Sequence, residues 1–168
     1  HKQQKRTRLD IGLLSVATAA PPHIAYQRDI VEAARMVFRD DFEDFDRIAA
    51  VFFTAGITER RTCQPFHWYL GNHDWPARTA AYEAGALPIF IEAASKALER
   101  AGLTAREVDA VVTPTSTGIA TPSLEARAMG ELGFRADVMR VPVFGLGCAG
   151  GAAGLALIEN GLIASGDG

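Results

Sequence analysis

Apolar runs and apolar residues at helical spacing alternate along this chain. Three stretches rich in Val, Ile and Leu predict buried strands: Leu9 to Ala19, Val108 to Val112 and Val138 to Phe144. Apolar side chains recur at helical spacing from Ile24 to Arg39, and the helical pattern continues from Phe42 to Phe53. This alternation predicts an α/β fold in which helices cover the strands of a sheet.

Proline and glycine mark the boundaries of the remaining elements. Pro88 is predicted to open a helix that runs to Arg100, with Gly102 as its C-terminal cap. Pro122 is predicted to open the helix after the second strand, and residues 54–75 read as an irregular, aromatic-rich stretch. A loop of threonine, serine and glycine therefore follows the second strand, at the kind of strand end where sites in α/β folds usually lie.

The third strand stops at a glycine and leads into a cysteine and a run of small residues. The segment from Val141 to Ile158 reads VPVFGLGCAGGAAGLALI, which places Cys148 on the first turn of a helix. Unpaired backbone N–H groups and the positive end of the helix dipole favour a thiolate there. Free cysteines are commonly inert, buried hydrophobes. Each glycine in a helix lowers its stability by about 1 kcal/mol relative to alanine, so several glycines here need a reason. Close helix packing and access to the sulfur are the reasons we favour, and both fit a nucleophilic cysteine better than an inert one.

Composition limits the classes of function. The chain has 168 residues, 48% of them hydrophobic, and a net charge of −3, which gives no electrostatic case for nucleic acid binding. It contains no run of 18 apolar residues and no signal-peptide pattern, so we expect no membrane association and a cytoplasmic location. Two cysteines do not make a disulfide framework. Residues 1–8 are predicted to be a tail that is disordered or derived from protein expression.

Residues 140–155 resemble the active-site signature of the chalcone and stilbene synthase family, the type III polyketide synthases. In that segment Arg140 lies eight residues before the cysteine, Gly147 directly before it and Ala149-Gly150-Gly151 directly after it. Further segments that resemble the family are Ala17 to Pro22, Gly56 to Arg61, Trp68 to Leu70, Asn72 to Pro76 and Thr115 to Ser123. The resemblance covers nearly all of the chain from about residue 9 onward.

The resemblance implies a thiolase-like fold, one half of a layered αβαβα architecture with a buried nucleophile helix. Members of the family are longer and contain two similar halves, so residues 9–168 are expected to be the N-terminal half, with the C-terminal half absent. The catalytic histidine and asparagine of the family lie in that other half. A single sheet would leave the cysteine helix partly uncovered.

The family pattern also implies roles for particular residues. Cys148 would be the catalytic nucleophile, with Gly147 and the loop residues Thr115, Ser116 and Thr117 around the substrate. Ser116 falls where the family commonly has a cavity-lining threonine. Thr121 lies near the position from which a residue reaches across a dimer interface. The basic residues that would hold the CoA phosphates are sparse, leaving Arg47 and Arg60.

The chemistry that the resemblance implies is acyl transfer. A starter acyl group would move from CoA to Cys148, and decarboxylation of malonyl-CoA would then extend it. The substrates would be CoA thioesters, the protein a homodimer, and no metal or bound organic cofactor would be needed. Two alternatives are another condensing enzyme of the thiolase superfamily, such as a ketoacyl synthase, and a non-catalytic assembly module in which Cys148 only packs.

Two further groups of polar residues have simpler interpretations. Cys63, His67 and His73 could suggest a metal site, but a fourth ligand is missing and packing is favoured. His73 and Asp74 could form a catalytic base pair, although a rigid turn is the preferred interpretation. In the second loop, Thr121 or Ser123 could cap the following helix, a role compatible with lining a cavity.

Overall fold

The computed structural model describes residues 11–38 and 44–165, with side chains described to residue 161. The chain divides into two compact units, one formed by Ala20–Ile89 and the other by His1–Ala19 together with Phe90–Gly168. We call the first the hairpin unit and the second the cysteine unit. The predicted tail, residues 1–8, lies outside the described residues.

The hairpin unit is built on a short antiparallel pair of strands. Strand β1 (His23–Tyr26) pairs with β2 (Glu59–Thr62), so that His23 lies opposite Thr62. Helices α1 (Gln27–Phe38) and α2 (Phe45–Thr54) pack together beside them. The buried apolar side chains of the unit are Ala25, Val31, Ala33 and Ala49.

The start of the first predicted helix and the irregular stretch after the second need correction. Ile24 to Tyr26 belong to β1, because their backbone pairs with β2; the helix begins only at Gln27. Gln27 is buried at this junction, where its N–H bonds to Thr58 O and its Nε2 to Phe52 O, both at 2.9 Å. The stretch from residue 54 to 75 contains β2 and a 3-10 helix, Phe66–Leu70.

A 27-residue helix, α3 (Trp75–Ala101), contains Pro88 in its interior. The prediction that Pro88 opens this helix is therefore wrong. Asp74 caps the true start, since its Oδ1 accepts the N–H of Ala77 at 2.9 Å. Proline has no backbone N–H, so one hydrogen bond of the helix is missing at Pro88. The helix tolerates this loss because alanine, the strongest helix former, recurs on both sides. The predicted cap at Gly102 is confirmed by its φ of 68°.

The cysteine unit contains a parallel pair of strands covered by helices. Strands β3 (Ala110–Thr115) and β4 (Met139–Phe144) pair in register, from Ala110 opposite Met139 to Thr115 opposite Phe144. Helix α4 (Leu124–Leu132) packs against both strands, and α5 (Gly150–Ser165) packs mainly against β3. The buried apolar side chains are Ala105, Leu124, Ala128 and Val138.

The strand predictions in this unit succeed in part. The third predicted strand is confirmed as β4, and the second is found as β3, which starts at Ala110 and continues to Thr115. The first is wrong, because residues 11–20 form no strand. In the described part of the chain no strand pairs with them. Hydrogen bonds to α3 hold them instead, from Ser15 Oγ to Ala97 O at 2.7 Å and from Arg100 Nη1 to Val16 O at 2.6 Å.

Over residues 150–161, where its side chains are described, helix α5 has one covered face and one exposed face. Gly150 and Gly154 are buried, whereas Leu155 is 64% exposed and Leu157 is 43% exposed. The expected buried nucleophile helix is therefore buried along the face that meets β3, and its other face is open, as a single covering sheet predicts. Across the described residues, no helix has the length and apolar character needed to cross a membrane.

Arg135 ties together the segments that lead into the two parallel strands. Its Nη2 donates to Asp109 Oδ1 at 2.8 Å, its Nε to Asp137 Oδ1 at 3.0 Å and its Nη1 to Arg106 O at 2.7 Å. The hydrogen bond and charge of Arg135 lower the pKa of Asp137. These contacts fix the amino ends of β3 and β4, so the opposite ends of both strands are also held in register.

Candidate active site

The carboxyl ends of β3 and β4 lie side by side and lead into two different loops. The N–H of Gly145 bonds to Thr115 O at 3.3 Å just beyond the last strand pair. Gly145 and Gly147 then adopt φ values of 88° and 52°, in the left-handed region that side-chain-bearing residues avoid. These two residues turn the chain from β4 into a 3-10 turn, Gly147–Ala149, that runs directly into α5.

Cys148 is the middle residue of this 3-10 turn, and it is exposed. The sequence predicted the first turn of a helix, and the structure places the thiol in the short turn that immediately precedes α5. The N–H of Ala149 bonds to Leu146 O at 3.1 Å, which closes the turn. The first N–H groups of such a turn have no hydrogen-bond partner within it. They point away from the start of the turn, where they can stabilise a nearby anion.

Glycine brings α5 unusually close to β3. A Cβ on Gly150 would lie 3.2 Å from Pro114 Cβ, and one on Gly154 would lie 3.1 Å from Pro114 Cγ. A Cβ at either position would be tighter against Pro114 than an ordinary van der Waals contact, so the proline ring or the helix would have to shift by a few tenths of an ångström. The small residues after the cysteine therefore place its turn at the carboxyl end of β3.

A cavity of about 230 Å³ lies at these strand ends. Three of the predicted site residues, Thr115, Ser116 and Gly147, line it together. Gly147, the first residue of the cysteine turn, and Gly150, the residue after it, belong to the cavity wall, whereas Cys148 does not line it. The remaining lining residues, none of which had been assigned a site role from the sequence, are Pro114, Val143, Leu146, Gly150 and Gly151. For Pro114 and Val143 the available signal was their position near the ends of β3 and β4, and for the other three it was their closeness to Cys148 in the sequence.

Thr117 and Thr121 lie on the loop after β3, outside the wall of this cavity. Both are exposed, and the carbonyl of Thr121 accepts a hydrogen bond from Arg127 Nη2 at 3.3 Å. Ser123 stands at the N-cap of α4 without making a side-chain capping bond. Its hydroxyl donates to Glu125 Oε1 at 2.5 Å, so the capping interpretation is wrong for Ser123.

The two arginines considered for CoA phosphates belong to the hairpin unit. Arg47 lies on α2 with its side chain 82% exposed, and its Nε is 3.1 Å from Asp44 Oδ2. Arg60 is an exposed residue of β2, opposite Ala25 in the strand pair. An exposed ion pair such as that of Arg47 contributes little free energy, so this guanidinium is available to a ligand.

The other titratable residues singled out from the sequence have structural contacts. His73 stacks on Trp68 with ring centroids 3.9 Å apart, and its Nε2 is 2.7 Å from Trp68 O. Asp74 caps α3, which fits the preferred rigid-turn interpretation. His67 lies on the 3-10 helix before this turn. Within residues 11–38 and 44–165, no group of three His, Cys, Asp or Glu side chains could hold a metal.

Cys63 differs from Cys148 in its surroundings. It is half-buried, and a Cβ on Gly85 would lie only 2.6 Å from its Sγ. Burial raises the pKa of the Cys63 thiol, which disfavours the reactive thiolate. The two cysteines are therefore physically distinct, one packed and one exposed at a turn.

Comparison with protein families gives a match over nearly the whole chain. The model for FAE1/Type III polyketide synthase-like protein matches residues 11–167. A 1,3,6,8-tetrahydroxynaphthalene synthase of Streptomyces peucetius subsp. caesius is 40% identical over 162 residues, covering 95% of this chain and 43% of the relative. A putative chalcone synthase of Bacillus subtilis is 36% identical over 149 residues, covering 86% of this chain and 41% of the relative.

Solved structures give the same result. The crystal structure of 1,3,6,8-tetrahydroxynaphthalene synthase from Streptomyces coelicolor A3(2), a bacterial type III polyketide synthase, superposes with a TM-score of 0.80 at 25% identity. The match covers 89% of this chain and 44% of that one, so the chain spans less than half the length of the proteins it resembles. Its fold is the thiolase-like α/β fold of these structures, and the chain belongs to the FAE1/type III polyketide synthase-like family.

Proposed function

We propose that the protein is a type III polyketide synthase in which Cys148 carries the growing acyl chain as a thioester. One observation supports this most directly: Cys148 is exposed on a turn at the strand ends, beside a cavity of about 230 Å³. A nucleophilic cysteine needs access, a neighbouring space for the acyl group and local stabilisation of negative charge. The exposed thiol and the neighbouring cavity support the first two, and the backbone N–H groups at the start of the turn are the proposed source of the third.

The first proposed step loads the starter. The thiolate of Cys148 attacks the carbonyl carbon of an acyl-CoA, the new C–S bond forms, and the bond to CoA breaks with departure of the CoA thiolate. The backbone N–H of Cys148 is the proposed hydrogen-bond donor to the carbonyl oxygen, because it lies at the open start of the 3-10 turn. The acyl chain then lies toward the cavity wall formed by Val143 and Leu146.

The second proposed step extends the chain. Malonyl-CoA loses CO₂, and the electron pair of the broken C–C bond forms an enolate at the α-carbon. This carbon attacks the thioester carbonyl on Cys148, a C–C bond forms, and the cysteine thiolate departs. The product is a β-ketoacyl-CoA two carbons longer, and the free thiolate is ready to be loaded again.

The proposed substrates are acyl-CoA and malonyl-CoA, and the proposed assembly is a homodimer. Arg47 and Arg60 are the proposed contacts for the CoA phosphates, since both guanidinium groups are on exposed side chains of the hairpin unit. The loop residues Thr117 and Thr121 are proposed to contact substrate outside the cavity wall. The reaction as written consumes only CoA thioesters, with no metal or organic cofactor in any step.

Steady-state turnover tests this function in the protein at its natural full length. CoA release and product formation from acyl-CoA and malonyl-CoA are measured for the wild type, Cys148→Ala and Cys63→Ala. We expect Cys148→Ala to lose turnover by at least about a thousandfold, because the nucleophile is removed. Cys63→Ala is the matched control and should retain turnover. Equal activity of the wild type and Cys148→Ala would refute the proposal.

A further inference from the structure

The loop that follows β3 connects the cavity wall to the start of α4. We call residues 116–123 the site loop. Its first residue, Ser116, lines the cavity together with Gly147. Its last residue, Ser123, is the N-cap of α4. Whatever fixes the α4 end of this eight-residue loop also limits how far its cavity end can move.

Glu125 holds one side of the α4 end. It lies in the first turn of α4 and is only 1% exposed, although buried carboxylates are costly unless they are bonded. Its Oε1 accepts the hydroxyl of Ser123 at 2.5 Å, while no group in the described residues bonds to its Oε2. Packing alone would be served better by an apolar residue of similar volume. The bond to Ser123 is the contact of this carboxylate that an apolar residue could not make.

Arg127 holds the other side of the same end. Its Nε donates to Pro122 O at 2.8 Å, and its Nη2 donates to Thr121 O at 3.3 Å. A planar guanidinium can bond two consecutive carbonyl groups in a fixed geometry, which a lysine ammonium cannot reproduce. Two side chains from one helix thus hold three consecutive loop residues, Thr121 to Ser123, by hydrogen bonds.

We propose that Glu125 and Arg127 are positioning residues for the cysteine site. They hold the site loop by Thr121, Pro122 and Ser123, and thereby keep Ser116 at the cavity wall beside the Cys148 turn. The role in acyl transfer rests on the proposed function, whereas the role in holding the loop does not. Neither residue touches the reacting atoms, so both act through the loop.

Paired substitutions at natural full length test this role. Glu125→Leu removes the hydrogen-bond acceptor at similar side-chain volume, whereas Glu125→Gln retains an acceptor for Ser123. Arg127→Lys retains the positive charge but loses the planar guanidinium that bonds two carbonyl groups. Hydrogen–deuterium exchange of residues 116–123 is measured first, followed by the rate of acyl transfer to Cys148. The matched control is Glu131→Gln, which alters an exposed carboxylate on the same helix.

We expect Glu125→Leu and Arg127→Lys to raise exchange in the site loop and to slow acyl transfer on the order of tenfold, because small misplacements near a reacting group are costly. Glu125→Gln should stay within about twofold of the wild type, since its bond to Ser123 is kept. The melting temperature of Glu125→Leu should be maintained or raised while its rate falls. A merely structural role would lower both together.

Two results would overturn the inference in a protein that acylates Cys148. One is unchanged exchange in the site loop of Glu125→Leu and Arg127→Lys. The other is a loosened loop with an unchanged rate of acyl transfer. If the wild type itself does not acylate, the proposed function fails, and alkylation of Cys148 by iodoacetamide replaces acyl transfer as the readout. An altered alkylation rate with a loosened loop then supports the positioning role, and an unaltered rate overturns it.

Discussion

Gly154 packs so closely on Pro114 that a Cβ added to the glycine would lie 3.1 Å from the proline Cγ. This contact joins the helix that follows the cysteine to the strand that ends in the site loop. Because α5 and β3 meet at small residues, the cysteine turn and Thr115 lie at the same edge of the sheet. The close approach of α5 and β3 is thus a condition for the geometry of the candidate site.

Enlarging Gly154 should separate the two elements. We expect Gly154→Val to lower the free energy of unfolding by about 1–3 kcal/mol, because the added atoms overpack the contact with Pro114. Gly151→Ala is the matched control on the same helix, since a Cβ there meets nothing within 4 Å. Its higher helix propensity should stabilise by up to about 1 kcal/mol. Urea unfolding measures both, and equal effects would contradict the close packing of Gly154.

The two cysteines should differ sharply toward iodoacetamide. Cys148 is exposed, whereas burial raises the pKa of Cys63, so near neutral pH Cys63 carries little thiolate. Peptide mapping after brief alkylation should find the label on Cys148. Label on Cys63 should increase only as the pH rises past the ordinary value for a thiol. Unfolding in urea should abolish the difference, and equal labelling of the folded protein would contradict the structure.

A capping interaction before β3 should make stability depend on acid. Glu107 Oε2 accepts both the N–H and the hydroxyl of Thr104 at 2.8 Å, and these hydrogen bonds lower the pKa of Glu107. A carboxyl with a lowered pKa stabilises the fold above its ordinary pKa, and this stabilisation is lost as the pH falls through the folded value. On acidification the melting temperature of Glu107→Gln should therefore fall less than that of the wild type. Parallel pH profiles would contradict this role, and Glu131→Gln is the exposed control.

Arg135 should be needed for the alignment of the parallel strands at their amino ends. We expect Arg135→Lys to lower the melting temperature, because one ammonium group cannot reproduce the three bonds to Asp109, Asp137 and the Arg106 carbonyl. Arg106→Ala is the control, since it leaves that backbone carbonyl in place. Melting curves that coincide for Arg135→Lys and the wild type would show that these contacts do not stabilise the unit.

The sequence predicted the parts of the fold that depend on local patterns. The apolar run of β4, the glycine after α3 and the turn carrying Cys148 follow from residues close together in the chain. Residues 11–19 have the same apolar character as a strand, yet strand formation depends on a partner that local sequence does not specify. The helix start predicted at Pro88 was wrong because a long alanine-rich helix remains stable with one hydrogen bond missing.

The candidate site was predictable to a similar extent. Cys148 and the loop from Thr115 could be found from residue type and position at strand ends. Pro114 and Gly154 could not be paired, because their contact joins elements that are far apart in sequence. The burial of Glu125 could not be predicted either. A glutamate near the start of a helix is usually exposed, and only the packing of the folded chain buries this one.

The central claim is that Cys148 carries the acyl group, and covalent trapping tests it most directly. The protein at its natural full length is incubated with acyl-CoA without malonyl-CoA, and its intact mass is measured beside Cys148→Ala and Cys63→Ala. We predict one acyl group on the wild type and on Cys63→Ala, and none on Cys148→Ala. An acyl adduct that persists in Cys148→Ala, or no adduct on any of the three proteins, would contradict the account.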